Sequence, residues 1–338
     1  MLLQRFCLCY WLTVLRFLLL PPPVWSLTAH GASTTIHYIC GRRCKYTSCS
    51  NSNSNSSNAL DPVPLVVIGG MSQSIESWEH HLSALSKNRD VLVYECLGQG
   101  PLPPHVSSSG TEEEYFRDLS LQVHADDFAS IVSSALSHVG IQRTPVDVCG
   151  FSFGGRVALA AASIYPHFIR KLHITGVPAR RDANGRDIFT TWKNLLINND
   201  DSSLYEYAYA SIIASHSEEF IGKNHGKIQK WVDFIQKSNT RIGLMALLEQ
   251  THTDDEQNMW HPVCMAQRIA SHGCIAGRLT VGRQDKLASH ENVEIFSNLL
   301  GWGPIGIYDG VGHAVPIEKP RQWREDLLSF LDANDMQQ

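Results

Sequence analysis

The residues best suited to chemistry begin with a serine between two glycines, in the run Gly150-Phe151-Ser152-Phe153-Gly154. This Gly-x-Ser-x-Gly spacing is typical of a nucleophile elbow, in which a sharp strand-to-helix turn lifts a serine hydroxyl clear of a sheet. The turn strains the backbone of the serine, so the residues two positions away on either side must lack bulk. Because Ser152 could equally cap a helix N-terminus, the motif alone leaves its role open.

An acid and a histidine follow in the order that would complete such a site. Asp285 comes just after the apolar run Leu279–Val281, and His313 lies in a glycine-rich segment near the end of the chain. A histidine held in one tautomer by a carboxylate can take the proton of a serine hydroxyl as that hydroxyl attacks a carbonyl carbon. Asp309 is the alternative acid, but it stands only four residues before His313 and could not easily orient the ring. We therefore predict Ser152 as nucleophile, His313 as general base and Asp285 as the orienting acid.

Two more groups are placed to act on a substrate at Ser152. The amide of Phe153 precedes the helix predicted over Gly154–Ser163, where free N–H groups and the helix dipole favour the negative charge of an oxyanion. Arg156 lies four residues after Ser152 and hence on the same helix face, with its side chain leaning back toward the serine. Arg156 could therefore hold a substrate carboxylate, although an arginine in this position is also common as a structural ion-pair partner.

The framework for these residues is visible from Pro64 onward. Strands are predicted at Leu65–Ile68, Val91–Glu95, Val146–Cys149, Leu172–Thr175, Leu279–Val281 and Ile305–Tyr308. Amphipathic helices alternate with the strands, and the clearest of them covers Tyr115–Val139. Parallel strands need such crossovers, so the predicted fold class is α/β, with a mostly parallel sheet covered by helices on both faces. Ser152, Asp285 and His313 then all lie at carboxyl ends of strands.

The alternation stops between Ala179 and Pro262. Four helical patterns fill this stretch, over Phe189–Leu196, Leu204–Ser215, Ile228–Lys237 and Arg241–Gln250. We predict a helical lid at residues 179–262, inserted in an α/β core formed by residues 61–178 and 263–338. Four aromatic side chains of the lid are expected to shape the pocket: Trp192, Tyr205, Tyr209 and Trp231.

Together these motifs resemble the α/β-hydrolase superfamily over about residues 64–333, with further likeness at Gly98-Gln99-Gly100 and at the segment from His313 to Pro320. The resemblance implies an α/β-hydrolase fold, Ser-His-Asp chemistry on a small-molecule substrate, and no cofactor. It also implies the amide of Met71 as the second oxyanion donor, with Gly70 beside the substrate. Many relatives carry a His-Gly pair where this sequence has Gly69-Gly70, so a histidine that often braces this loop is missing. No His-Glu-x-x-His spacing occurs, and no catalytic metal is expected.

The reaction class follows from the nucleophile. A serine favours hydrolysis of a small or medium ester, thioester or related carbonyl compound. The run Ser-x-Gly-Gly-Arg is also similar to the pyruvate-eliminating synthase of menaquinone and phylloquinone biosynthesis, and Arg180, Arg181 and Arg186 loosely resemble the basic lid of that enzyme. A non-hydrolytic lyase is therefore one alternative. A catalytically silent ligand-binding relative is another.

The composition sets outer limits on the function. The chain has 338 residues, of which 43% are hydrophobic, and its formal net charge is −5. It can therefore build a sizeable core, and no basic surface predicts a nucleic-acid partner. The oligomeric state is not predicted.

The first sixty residues differ from the rest, with five Lys and Arg and no Asp or Glu. The apolar run Phe6–Leu20 is interrupted by Arg16 and is shorter than the roughly 20 residues of a membrane span. We predict a leader at residues 1–34 and no stable span in the mature protein. Residues 35–60 read as a Ser/Asn-rich transit-like segment or as a first hairpin beginning near residue 35. A plastid address is expected, with the mitochondrion or the secretory pathway as alternatives.

Overall fold

A computed structural model describes residues 25–27, 36–39, 41–49, 63–101, 111–138, 145–197, 202–251 and 256–333. Within them the strands are β1 (Trp25–Leu27), β2 (Ile36–Ile39), β3 (Arg42–Thr47), β4 (Leu65–Ile68), β5 (Val91–Tyr94), β6 (Val146–Phe151), β7 (Ile169–Thr175), β8 (Ala276–Gly282) and β9 (Gly306–Tyr308). They form one nine-stranded sheet in the order β1-β2-β3-β5-β4-β6-β7-β8-β9.

The strands from β4 to β9 run parallel, whereas β1, β2 and β3 are antiparallel to their neighbours. The predicted α/β class with its mostly parallel sheet is confirmed. Strands β2 and β3 form a hairpin that joins the sheet through β5. The predicted leader lies almost wholly outside the described residues, as does the Ser/Asn-rich run 50–58.

The helices of the described residues are α1 (Glu79–Leu85), α2 (Glu112–Phe116), α3 (Leu121–His138), α4 (Phe153–Ile164), α5 (Ala183–Ile197), α6 (Ser203–Ser215), α7 (Glu218–Asn224), α8 (Ile228–Ser238), α9 (Arg241–Thr251), α10 (Pro262–His272), α11 (His290–Leu300), α12 (Val315–Glu318) and α13 (Pro320–Asp332). The structure has two helices where the sequence predicts a single helix over Tyr115–Val139. Helix α2 ends at Phe116, and α3 begins after Ser120, whose hydroxyl accepts a hydrogen bond from the Val123 amide. Helices α5 to α9 follow β7 without an intervening strand among the residues described, and we call them the helical insertion.

The core lies on both faces of the sheet because successive side chains of each buried strand point to opposite sides. On β4, Leu65 and Val67 belong to the apolar cluster that contains Trp323 of α13. Their neighbours Val66 and Ile68 belong to the cluster on the other face, with α3 and α4. Burial of each such aliphatic side chain stabilises the fold by about 1.5–3 kcal/mol, so the two clusters fix which side chains of β4 point to each face of the sheet.

A buried carboxylate marks the amino end of β6, opposite the end that carries Ser152. Asp147 is fully buried and accepts hydrogen bonds from Arg89 (2.9 Å) and from two nitrogens of Arg170 (2.8 and 2.7 Å). Arg89 is itself 4% exposed. Removal of one partner from such a pair leaves a charge without compensation, which makes this cluster important for stability.

Candidate active site

Ser152 sits at a sharp turn between β6 and α4. Its φ of 51° and ψ of −117° are rare for a residue with a side chain, and its amide donates to Thr175 O at 2.8 Å. A Cβ added at Gly150 would lie 2.6 Å from Gly155 Cα, and one at Gly154 would collide with Ile68 O. The two glycines of the motif are therefore required by close backbone packing, as the elbow interpretation predicts.

The structure brings Ser152, His313 and Asp285 together. His313 Nε2 lies 2.8 Å from Ser152 Oγ, and His313 Nδ1 lies 2.7 Å from Asp285 Oδ2. A carboxylate only accepts hydrogen bonds, so Nδ1 carries the proton and Nε2 presents a lone pair to the serine hydroxyl. Both the carboxylate and the imidazole are buried. This arrangement can move the serine proton to the ring as the oxygen attacks a substrate.

The geometry separates the two candidate acids. Asp285 Oδ1 accepts the amides of Leu287 and Ala288, each at 2.8 Å, which fixes the carboxylate. Asp309 instead pairs with Arg283, and its side chain is 79% exposed. Gly176 packs directly against the His313 ring, and a Cβ on this residue would lie 2.8 Å from His313 Cε1. Its φ of 72° is also one that glycine tolerates best.

The loop after β4 packs directly against the serine. A Cβ on Gly70 would lie 2.8 Å from the Phe151 ring and 3.3 Å from Ser152 Cβ. Two glutamines hold Gly70: its amide donates to Gln73 Oε1 at 2.8 Å, and its carbonyl accepts from the Gln99 side chain. The bracing histidine expected from the resemblance is absent, but these side chains hold the loop in its place. Gln99 lies in the Gly98-Gln99-Gly100 motif, one of the segments on which the resemblance rests, so the sequence did point to this residue.

Two backbone amides next to the serine are available to an oxyanion. Phe153 is the first residue of α4, where N–H groups have no acceptor within the helix. Met71 follows Gly70 on the loop after β4, and no acceptor for its amide is found among the residues described. Met71, Ser152 and Phe153 all line the same cavity. The arrangement therefore offers donors on two sides of the serine hydroxyl.

A cavity of about 400 Å³ opens at Ser152 beneath the helical insertion. Apolar side chains of the insertion form much of its wall: Phe189, Trp192, Ile212, Trp231, Phe234 and Ile235. The expectation that Tyr205 and Tyr209 shape the pocket was wrong. They lie four residues apart on the outer face of α6 and are 36% and 43% exposed, whereas Tyr207 points inward and lines the cavity.

Arg156 lies in the cavity wall without a carboxylate partner among the described residues. It is 6% exposed, and it reaches only two carbonyl oxygens, Thr251 O at 3.5 Å and Trp260 O at 3.4 Å. Its Nε has no hydrogen-bond partner among the described residues. Burial lowers the pKa of Arg156 to about 10. The part of the chain that the structure describes therefore contains no acid that forms a structural ion pair with Arg156.

The loop that carries His313 is bonded to the helical insertion. Glu318 accepts the amides of Ser217 (2.9 Å) and Gly312 (3.0 Å), and the Ala314 amide donates to Ser215 O at 2.8 Å. Between these bonds lies His216, which also lines the cavity. Its Nδ1 is 2.8 Å from Ile212 O, and burial lowers the pKa of the ring. Sequence reasoning missed His216, because only the fold brings it near His313.

In the described part of the chain, no group of three or more His, Cys, Asp or Glu side chains has the arrangement of a metal site. None of the helices described there combines the length and the hydropathy of a membrane-spanning helix.

Comparison with known proteins agrees with this architecture. A family model described as alpha/beta hydrolase fold matches residues 63–262, more than half of the chain. A protein of Pseudomonas savastanoi pv. phaseolicola, assigned as the carbamate hydrolase RutD, is 23% identical over 269 residues, which cover 80% of this chain and 93% of that protein.

Two solved structures have similar folds. MGS-M2, an alpha/beta hydrolase enzyme from a Medee basin deep-sea metagenome library, is 19% identical with a TM-score of 0.66, over 87% of this chain and 96% of its own. The enol-lactonase of Burkholderia xenovorans LB400 is 16% identical with a TM-score of 0.65, over 87% of this chain and 98% of its own. At these identities the similarity shows the fold alone.

Proposed function

Because the chain belongs to the α/β-hydrolase fold family, we propose that it is a serine hydrolase that cleaves a small or medium ester, thioester or related carbonyl compound. One observation carries the proposal: Ser152 Oγ, the His313 ring and the Asp285 carboxylate form a continuous hydrogen-bonded series of 2.8 and 2.7 Å at the wall of an apolar cavity.

The reaction proceeds in two halves. Ser152 Oγ attacks the carbonyl carbon while His313 Nε2 takes its proton, and the oxyanion is stabilised by the amides of Phe153 and Met71. The imidazolium then protonates the leaving group as the carbon–leaving-group bond breaks, and an acyl-serine remains. A water molecule, deprotonated by His313, then attacks the acyl carbon. The bond between that carbon and Ser152 Oγ breaks, the imidazolium returns its proton to Oγ, and the acid leaves. Asp285 holds the ring in position and stabilises its positive charge throughout.

The cavity limits the substrate. Its volume of about 400 Å³ and its aromatic walls suit an apolar acyl or leaving group. The buried guanidinium of Arg156 lacks an acid partner among the described side chains, so an anionic group of the substrate would supply the missing charge. We therefore propose a mostly apolar carbonyl compound that also carries a carboxylate, with Gly70 beside its reacting group.

A panel of p-nitrophenyl esters and acyl thioesters of graded length, assayed with the full chain, tests the hydrolase proposal. We expect turnover that Ser152→Ala reduces to the uncatalysed rate while the thermal unfolding temperature is kept. Retention of activity in folded Ser152→Ala would contradict the proposal. Binding without turnover, in the wild type, would favour the ligand-binding alternative.

Matched neutral and anionic esters test the carboxylate subsite. Arg156→Met should raise KM for the anionic ester about 10- to 100-fold, the usual range for one lost charge-assisted hydrogen bond, and leave the neutral ester little changed. Arg180→Gln is the control, because Arg180 is 58% exposed and paired with Glu256. An equal loss on both esters would refute the subsite.

A non-hydrolytic elimination is the second candidate, since Arg156, which has no acid partner among the described residues, would also suit the carboxylate of such a substrate. The two reactions differ in the fate of water. Once a substrate is identified, turnover in ¹⁸O-labelled water places the label in the acid product of a hydrolysis. An elimination leaves the products unlabelled.

We also propose a targeting role for the basic, acid-free start of the chain. Strand β1 is the edge strand of the sheet and lies within the predicted leader, so a signal that ends before Ile36 would take this strand with it and leave β2 and β3 in place. Residues 1–34 fused to a fluorescent protein should direct it to the plastid in a cell with plastids of secondary origin. Accumulation in mitochondria or secretion would contradict the plastid address.

A further inference from the structure

The turn after Met71 contains one of two non-glycine residues with positive φ among the residues described; the other is Ser152. Ser72 has a φ of 66°, directly after the amide proposed to bind the oxyanion. A left-handed conformation costs a residue with a Cβ roughly 1–2 kcal/mol, and it persists only where surrounding contacts hold it.

The contacts that hold Ser72 come from the helical insertion. Ser72 Oγ lies 2.8 Å from Tyr207 Oη of α6, and both groups are buried. The Asn239 side chain, between α8 and α9, donates through Nδ2 to Ser72 O at 3.2 Å. Ser72 is therefore held through both its side chain and its carbonyl.

We propose that Tyr207 and Asn239 are positioning residues, which hold Ser72 so that the amide of Met71 points at the oxyanion. The inference rests on the proposed hydrolase function, because the position of this amide matters only if an oxyanion forms. The helical insertion then has a part in catalysis beyond the shape of the pocket.

The Met71 amide lies between two anchored residues. Gly70 on one side is held by Gln73 and Gln99, both outside the insertion, and the Gly70 carbonyl shares a peptide plane with the Met71 N–H. Ser72 on the other side is held by the insertion alone, as far as the described side chains show. Once Ser72 is released, its left-handed φ can relax, and the movement passes through the Met71 Cα to the N–H end of the Gly70–Met71 peptide.

Two variants remove the same hydrogen bond from opposite sides. Tyr207→Phe keeps the buried ring and deletes only the hydroxyl. Ser72→Ala deletes the other hydroxyl and keeps the Cβ that makes the positive φ costly, so the backbone can relax once the bond is lost. Since a displacement of about 1 Å at a reacting centre can cost about 100-fold, we expect each variant to lower kcat by about 10- to 100-fold with KM within a factor of two. The double variant should be no worse than the poorer single variant.

Tyr205→Phe is the matched control, because Tyr205 lies on the same helix and its hydroxyl contacts only Gln229 on the outer face among the described residues. A trifluoromethyl ketone that adds to Ser152 gives a second readout. Its affinity should fall in parallel with kcat in Tyr207→Phe and in Ser72→Ala, whereas a merely structural role would not link the affinity to kcat.

The outcomes separate this inference from the hydrolase proposal. If the wild type neither turns over esters nor binds the ketone, the proposed function fails. If the wild type does both and Tyr207→Phe behaves like Tyr205→Phe, the hydrolase proposal stands and the positioning role is overturned. Additive losses in the double variant would also overturn it.

Discussion

Replacement of Asp285 by asparagine should disable the histidine without disturbing its position. Asp285 Oδ1 accepts two amides, from Leu287 and Ala288, and Oδ2 accepts His313 Nδ1–H. An asparagine has one acceptor oxygen, and the two amides keep it on their side, so its NH₂ group faces His313. Nδ1 of His313 must then accept a hydrogen bond from this NH₂ group, so the ring proton moves to Nε2, the nitrogen that faces Ser152 Oγ. The ring can no longer take the serine proton.

The magnitude follows from this tautomer change. The equivalent substitution in a Ser-His-Asp triad lowers kcat by about 10⁴, or about 5 kcal/mol of transition-state stabilisation. We expect the same order here, measured as kcat on the best ester of the panel, with thermal unfolding recorded alongside. Asp309→Asn is the control and should change kcat less than twofold, because Asp309 is exposed and bound to Arg283. A folded Asp285→Asn enzyme within tenfold of the wild type, or a large loss in Asp309→Asn, would refute the reasoning.

Two predictions concern stability. Asp147→Ala removes the buried carboxylate that Arg89 and Arg170 share, and it leaves Arg89 paired with Asp332, whose side chain is 61% exposed. The variant should lower the free energy of unfolding by about 3–5 kcal/mol in urea titrations, with kcat/KM of the folded enzyme unchanged; a loss below about 1 kcal/mol would contradict this. Burial lowers the pKa of His124 to about 3, so below pH 6.5 the unfolded chain binds a proton that the folded chain does not, and stability falls. Between pH 8 and pH 5 this group alone should cost about 2 kcal/mol; His124→Leu should flatten the pH dependence by that amount, and an unchanged slope would contradict the assignment.

The sheet and the strand ends could be predicted because they depend on local pattern. The run Leu65–Ile68 is continuously apolar, as a strand buried on both faces must be, and the run Val146–Cys149 departs from this pattern only at Asp147. Glycines at fixed offsets from Ser152 indicate a turn that no larger residue could make. The order of strand ends then placed Ser152, Asp285 and His313 on one edge, where the structure has them.

The supporting contacts could not be predicted, because they join residues far apart in the chain. Helical periodicity gives the face of α4 that carries Arg156, but it does not show whether an acidic side chain from another element pairs with this arginine. Tyr205 and Tyr209 were expected in the pocket, yet periodicity cannot tell which face of a lid helix is the inner one. The bond between Ser72 and Tyr207 spans 135 residues, and neither residue belongs to a recognisable motif.

Covalent labelling of the nucleophile tests the central claim most directly. Ser152 is the one serine of the tryptic peptide 144–156, so a fluorophosphonate adduct can be located by peptide mass spectrometry of the full chain. We predict stoichiometric modification of that peptide at Ser152, abolished in Ser152→Ala and strongly slowed in Asp285→Asn. A folded wild-type protein that stays unmodified, or an adduct at any other residue, would contradict the assignment of Ser152 as the nucleophile.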